Sequence, residues 1–475
     1  MSMIELASKL ASARLHSRRG TALLDAFAVI SFAASSFLML TVFGGLAMFL
    51  RRRSTIDAVM SGNLGLPSGL ARGTGAMEVL FAVFALALLI VPLLTLGAGA
   101  ARLGAQGRSK RLAALRLVGM TAGQVQRMSV FETLVQYVVG FVVGLVLYLV
   151  SLPAWHAVSF ETEPIRYAEM LLPWWGFLLV FGVLALLASA STMLGLIQVS
   201  ISPLGVARRV TPRAMRMWRF VILVAVIALA VIVFNVLPLP ASANEAMRTV
   251  AIMVLILCGL AFAFSVAGPL FVQLTARVGL ARRSPAALLA ARRVIDDPRS
   301  AWRNISGVVL MGFVAGVVSS LAKISLSEAA SRSASSGSGD PNVVFQRALT
   351  NDIVTGVIIA FAFSLVIGAV STMVQQASDV FDRVSEERAL IHMGAPMKLM
   401  YRTRMQQVMW PFVVTILLAV GVGVLPGLSF THGQMKNGQV LLPMLLLGVV
   451  ITVIPVLLTR PIERRLLLAQ SRRND

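Results

Sequence analysis

Between Phe220 and Phe234 the chain reads FVILVAVIALAVIVF, without one polar side chain. A run of this kind cannot sit on the surface of a water-soluble domain. At about 1.5 Å per residue, roughly 20 such residues cross the ~30 Å hydrocarbon layer of a bilayer. Comparable runs recur and predict ten spans, near 22–50, 77–101, 128–152, 172–196, 218–237, 249–273, 303–324, 352–374, 408–428 and 440–459. Only 13% of the 475 residues are charged and mean hydropathy is +0.85, too few charges to solvate a globule of this size. The runs are continuous and do not alternate, so they predict helices and not a transmembrane barrel. The expected fold class is an all-α polytopic membrane protein.

An even number of spans puts both termini on one side. Most of the 42 Lys and Arg fall on that side, which places both termini in the cytoplasm. The net charge of +22 then reads as inner-face topology and attraction to anionic membrane lipid, with no nucleic acid partner expected. Arg51-Arg52-Arg53 falls on the opposite side and reads as an anchor against lipid headgroups. In residues 2–19, Met3, Leu6, Leu10 and Ala13 share one helical face, predicting an interfacial helix over 1–21. The one cysteine, Cys258, lies in an apolar run and excludes an internal disulfide. His16, His156, His392 and His432 lack metal-ligand spacing, so no metal site is expected. Asp25, Glu78, Glu132 and Asp352 stand near span ends, where solvation at the interface is expected; this argues against a proton relay. The longest outer segments are 51–76 and 325–351, the second carrying the linker-like SRSASSGSGDPN.

The most informative polar stretch occurs twice. Residues 115–134 read LRLVGMTAGQVQRMSVFETL and residues 390–409 read LIHMGAPMKLMYRTRMQQVM. An offset of 275 sets Leu115 on Leu390, Gly119 on Gly394 and Arg127 on Arg402. LASARLHSRR before the first span also resembles LLAARRVIDDPR before the seventh, where an amphipathic helix is expected. The chain therefore divides 4+2+4: a four-helix unit over 22–210, a two-helix connector over 211–280, and a second unit over 281–475 in the same orientation, a parallel internal repeat. Within each loop, Gly119 or Gly394 permits a sharp turn. Thr121 with Gln124 has capping-box spacing, and Pro396 suits a helix start. The turns present Met120, Met393 and Ala395, apolar tips that suit a protein partner. Gly140-x-x-x-Gly144 and Gly312-x-x-x-Gly316 allow helices to approach closely. Trp174, Trp175 and Trp410 sit at span edges, as in an aromatic belt.

The pattern acid-x-x-x-Leu-x-x-x-Gly-Ala/Met is carried by Glu386, Leu390, Gly394 and Ala395. Its first copy is carried by Leu115, Gly119 and Glu132, with Arg111 where an acid is usual, and SPLGVARR follows at 202–209. These segments resemble the FtsX-like permease family of ABC transporters, in the MacB and bacitracin-resistance type with two FtsX-like units in one chain. The resemblance implies a transport permease of the bacterial cytoplasmic membrane, not an enzyme. It implies no cofactor on this chain, with ATP and Mg²⁺ held in two copies of a cytoplasmic ABC ATPase. The implied ATPase contacts are Leu115, Gly119, Met120, Thr121, Glu386, Leu390, Met393, Gly394, Ala395 and Pro396. The P-loop pattern G-x-x-x-x-G-K-[ST] does not occur in this sequence, in keeping with that division. Bacitracin-type permeases carry a large outer domain where this chain has only 325–351. A lipid, a hydrophobic drug or an amphipathic antimicrobial peptide is therefore the expected cargo, exported or extracted from the outer leaflet. Phe43, Gly44, Gly45, Gly312, Phe313, Gly316 and Phe361 are the expected path. Two other readings are an ATP-driven transmembrane regulator, which would partner a sensor kinase, and a gradient-driven secondary transporter.

Overall fold

The computed structural model describes residues 21–63, positions between 79 and 101, 119–160, 163–200, 218–236, 243–299 apart from 283, positions between 301 and 316, 341–431, and 450, 453 and 457. The interfacial helix over 2–19, Glu78, Arg111, Leu115, residues 202–209 and most of the tenth expected span lie outside them.

Nine α-helices are labelled among the described residues. In order they are α1 (Thr21–Asn63), α2 (Ala122–Ser151), α3 (Tyr167–Met170), α4 (Trp174–Ser200), α5 (Trp218–Val236), α6 (Ala243–Gly279), α7 (Pro285–Asp296), α8 (Pro341–His392) and α9 (Met397–Thr431). Helical residues also lie between 79 and 101 and between 301 and 316. A 3₁₀ turn, Leu152–Ala157, and a two-stranded antiparallel ribbon of β1 (Ser159–Phe160) and β2 (Glu163–Pro164) join α2 to α3. Five helices of the described residues are long and apolar enough to cross a membrane: 25–52, 123–157, 174–194, 262–279 and 397–424.

Helix length departs from the apolar runs in two places. α1 continues to Asn63, so the outer segment expected at 51–76 begins as helix. α8 starts at Pro341, inside the segment expected as a loop at 325–351. Proline suits a first helical turn, where its missing N–H has no partner to lose. No further glycine or proline then interrupts the chain until Gly356. At 52 residues α8 is about 78 Å long, more than twice the thickness of a hydrocarbon layer.

Two apolar cores form. One unites α1, α2, α4 and the ribbon segment around Phe32, Tyr137, Phe141, Tyr148 and Val180. Here Tyr137 donates to Phe181 O at 2.8 Å, and Thr192 Oγ1 lies 3.2 Å from Thr133 Oγ1, so these three buried hydroxyls are satisfied between helices. The other core gathers Phe264 and Phe271 of α6, Val294 of α7, Phe313, Phe361 of α8 and Phe412 of α9. α6 thus shares a core with α7, α8 and α9, although the pair α5–α6 reads in the sequence as a connector. A Cβ at Gly268 of α6 would fall 2.1 Å from the Trp302 ring, so the indole lies flat on glycine backbone.

Both expected glycine pairs mark close helix crossings. A Cβ at Gly144 of α2 would lie 2.6 Å from Ala33 O of α1, and one at Gly140 would lie 2.9 Å from Val29 O. In the second unit a Cβ at Gly316 would lie 2.8 Å from Val420 O of α9. The first crossing joins α1 and α2, with the glycines on α2; the second joins the helical residues between 301 and 316 to α9, with the glycines preceding α9 in the chain.

Two of the three arginines expected as a headgroup anchor, Arg51 and Arg52, are engaged within the protein. Arg52 is buried; its Nε and Nη2 donate to Glu169 Oε2 at 2.9 and 2.7 Å, Nη1 to Phe160 O at 3.2 Å, and Nη2 to Pro164 O at 3.1 Å. Arg51 donates to Ala168 O and Glu169 O at 2.8 and 2.9 Å. Together they fasten the end of α1 to the ribbon and α3. The reason is geometric: α1 runs past the apolar layer, so its arginines meet the carbonyls of a folded connection before they meet headgroups.

Candidate functional site

The two turns at Gly119 and Gly394 share a backbone conformation. They are the positive-φ glycines of the described residues, with φ of 103° and 89°. The helices they introduce, α2 and α9, start 275 positions apart, at Ala122 and Met397. Local chemistry explains each turn. Thr121 Oγ1 accepts from Gln124 N at 3.3 Å while Gln124 Oε1 accepts from Thr121 N at 3.0 Å, a complete capping box. At the second turn Ala395 N donates to Leu390 O at 3.0 Å and Gly394 N to Ile391 O at 2.9 Å. This is a Schellman closure, with Gly394 as the left-handed residue that terminates α8.

Both turns lie at one end of the molecule. Trp155, in the connection that follows α2, meets Phe363 of α8 edge to face at 6.0 Å. From Phe363 the helix runs about 46 Å further before it reaches Gly394. Gly119 precedes α2 and so lies at that same far end. Gly119, Thr121, Met393, Gly394 and Pro396 are exposed, Met393 to 74%, whereas Met120, Leu390 and Ala395 are half-buried. Glu386 lies in α8, two turns before its end.

The buried acid beside the second turn is Glu387, one position on from the residue the sequence singles out. Its side chain is 1% exposed, and its Oε1 lies 3.5 Å from Arg293 Nη1 of α7 and 3.2 Å from Arg404 Nη2 of α9. Both guanidinium groups are themselves buried. α7 reaches this cluster by laying Ala286, Ala287, Ala290, Ala291 and Val294 against its neighbours, the apolar stripe of an amphipathic helix. Close by, Trp410 of α9 donates to Thr275 O of α6 at 3.0 Å, and Arg282 lies 3.7 Å above its ring. Trp174 and Trp175 are exposed at the start of α4, whereas Trp410, expected with them at a span edge, is half-buried.

The acids near span ends are not all solvated. Glu132 is buried at 6% exposure, because α2 begins at Ala122, six residues before the expected span start, and carries Glu132 into its third turn. Asp25 accepts from Gln136 Nε2 at 2.8 Å.

The residues expected on a cargo path are dispersed. Gly45 faces open space, and Gly44 packs on Met170 O and the Tyr148 hydroxyl. Phe43 is half-buried against the first core. Gly312 and Gly316 pack on α9, while Phe313 and Phe361 belong to the second core.

A Gly394→Val change is expected to loosen this turn without a clash, since nothing lies within 4 Å of a Cβ there. The strain is in φ, about 1–3 kcal/mol for a β-branched residue in that region. Hydrogen exchange of the Ala395 amide should speed up by roughly one to two orders of magnitude. An unchanged rate would show that the turn does not need glycine.

Residues 79–204 match the family model of the FtsX-like permease C-terminal domain. The match takes in the Gly119 turn, α2, the ribbon connection and α4. No curated protein matches the chain. The matched segment holds the polar turn and the apolar helices that follow it. Residues 79–204 are therefore similar to the C-terminal domain of FtsX-like permeases, within a chain whose described residues hold five helices long and apolar enough to cross a membrane.

Proposed function

We propose that this permease exports or extracts an apolar or amphipathic cargo, driven by two cytoplasmic ABC ATPases that dock at the Gly119 and Gly394 turns. The observation that carries the reading is the pair of left-handed turns at one constant offset, each opening an apolar helix. In this reading both termini are cytoplasmic. ATP and Mg²⁺ belong to the ATPases, and this chain supplies docking tips and moving helices. Met393, exposed beside Gly394, gives one tip an apolar side chain to seat in a partner groove. The cargo, a lipid, a hydrophobic drug or an amphipathic peptide, would pass at the opposite end, near Phe43 and Gly45 of α1. With Gly312, Gly316, Phe313 and Phe361 packed in the core, that passage requires the helices to separate.

The test is a photo-cross-linking amino acid placed at Met120 or at Met393 in otherwise identical proteins. Each is expected to trap an ATPase subunit, and native mass spectrometry of the complex should give two ATPases per chain. Trapping from only one position, or one ATPase per chain, overturns the reading.

A further inference from the structure

The Arg293–Glu387–Arg404 cluster brackets the second turn. Glu387 lies seven residues before Gly394, and Arg404 lies seven residues after Met397. Their ion pair therefore ties the two arms of the hairpin together about 10 Å below its tip. Arg293 fastens the same carboxylate oxygen to α7, the amphipathic helix that leads into residues 301–316. A carboxylate near a helix C-terminus meets the negative end of the helix dipole. Two arginines on one oxygen offset that cost, and Glu387 Oε2 has no hydrogen-bond partner among the described residues. The arrangement therefore holds three helices at a fixed spacing through a single atom.

The first hairpin lacks this charged pair at the matching positions of the sequence. At the same offset Leu112 stands for Glu387 and Ser129 for Arg404. Ser129 is fully buried, so no charge enters at that point.

We infer that the Arg293–Glu387–Arg404 cluster is a splint that couples the Gly394 turn rigidly to α7, so that the second half alone passes the ATPase stroke directly into its first membrane span. This rests on the reading of the turns as ATPase docking points. Glu387 is a positioning residue: it touches neither cargo nor nucleotide. The two ATPases then dock alike but act unequally, with the second turn as the driving input.

The test uses the full chain with its bound ATPases in lipid nanodiscs, in a Cys258→Ser background. Spin labels at Ala154→Cys and Asn351→Cys, both at exposed positions, report the distance between the halves at the end opposite the turns, with and without Mg-ATP. In a Glu387→Leu protein, ATPase affinity and hydrolysis should stay within about twofold of the parent, while the ATP-dependent distance shift falls to less than about half. Removing one buried partner can impair folding, so a triple variant, Arg293→Met, Glu387→Leu and Arg404→Met, discharges the cluster without leaving an isolated charge. If the cluster only supports the fold, the triple variant recovers the full shift, and the inference is overturned. If it is a splint, the triple variant inserts and binds ATPase but still transmits less than about half of the shift. Failure of the triple variant to insert also overturns the inference, because the cluster is then a folding element. A parent complex that recruits no ATPase at the turns, or shows no shift, sinks the docking reading and the splint with it.

Discussion

An Arg52→Met protein should lose the order of the connection between α2 and α4 while its spans stay inserted. Arg52 makes four hydrogen bonds to three groups: the Glu169 carboxylate, Phe160 O and Pro164 O. Methionine keeps most of the side-chain length but leaves those acceptors without their donor. Removing one member of a largely buried ion pair costs about 3 kcal/mol or more. That corresponds to roughly a hundredfold faster hydrogen exchange at the Ile165 amide, which bonds Val158 O at 3.0 Å. An Arg51→Met change should do less, because Arg51 is exposed and its bonds to the carbonyls of Ala168 and Glu169 form at the surface. Equal effects from the two changes would show that the clamp is not centred on Arg52.

The second large effect is expected from Gly144→Leu. The atoms in its way are Ala33 O, Ser36 Cβ and Phe37 N, at 2.6, 2.8 and 3.0 Å from the added Cβ. Two of the three are backbone atoms, so no rotamer change relieves the overlap, and α1 and α2 must move apart. Overpacking costs about 1–3 kcal/mol when side chains give way, and more when backbones must. The yield of monodisperse protein in mild detergent should fall several-fold. Gly312→Leu meets first the flexible Ile416 Cγ1 at 3.0 Å and should be milder. Gly45→Leu meets nothing within 4 Å and serves as the control. If Gly144→Leu behaves like Gly45→Leu, the α1–α2 crossing is not as close as described.

What the sequence discloses here is what is local. The Thr121–Gln124 capping box, the two turn glycines and the small-residue crossings can all be read within a few positions, and the structure realises them. Non-local pairings are illegible by the same logic. Arg52 reads as a headgroup anchor because its partner Glu169 is 117 residues away. Glu387 is overshadowed by Glu386, which fits the spacing pattern. One step along a helix turns a side chain by about 100°, so a spacing pattern centred on Glu386 does not disclose that Glu387 reaches Arg293 and Arg404. Glu132 reads as solvated only because apolarity places the span start at 128, whereas α2 begins at Ala122 in polar sequence. Apolarity marks where a helix is in lipid and says little about where the helix ends. The early part of α8, PNVVFQRALTND, is hidden for that reason. Whether the two turns receive ATPases depends on a second molecule, and no property of one chain's packing encodes it.

The length of α8 has a mechanical consequence. Its apolar part ends at Val374, and the helix continues unbroken to His392 before the turn at Gly394. The turn is thereby carried about 27 Å beyond the apolar layer on a stiff rod. A tilt of only about 10° within the membrane swings the tip through roughly 5 Å, the height of one helical turn. The gearing also works in reverse: a displacement of that size applied at the tip is returned to the bilayer as a rotation of about 10°. A modest displacement of the tip in water thus becomes a short-range shift of the same helix in lipid.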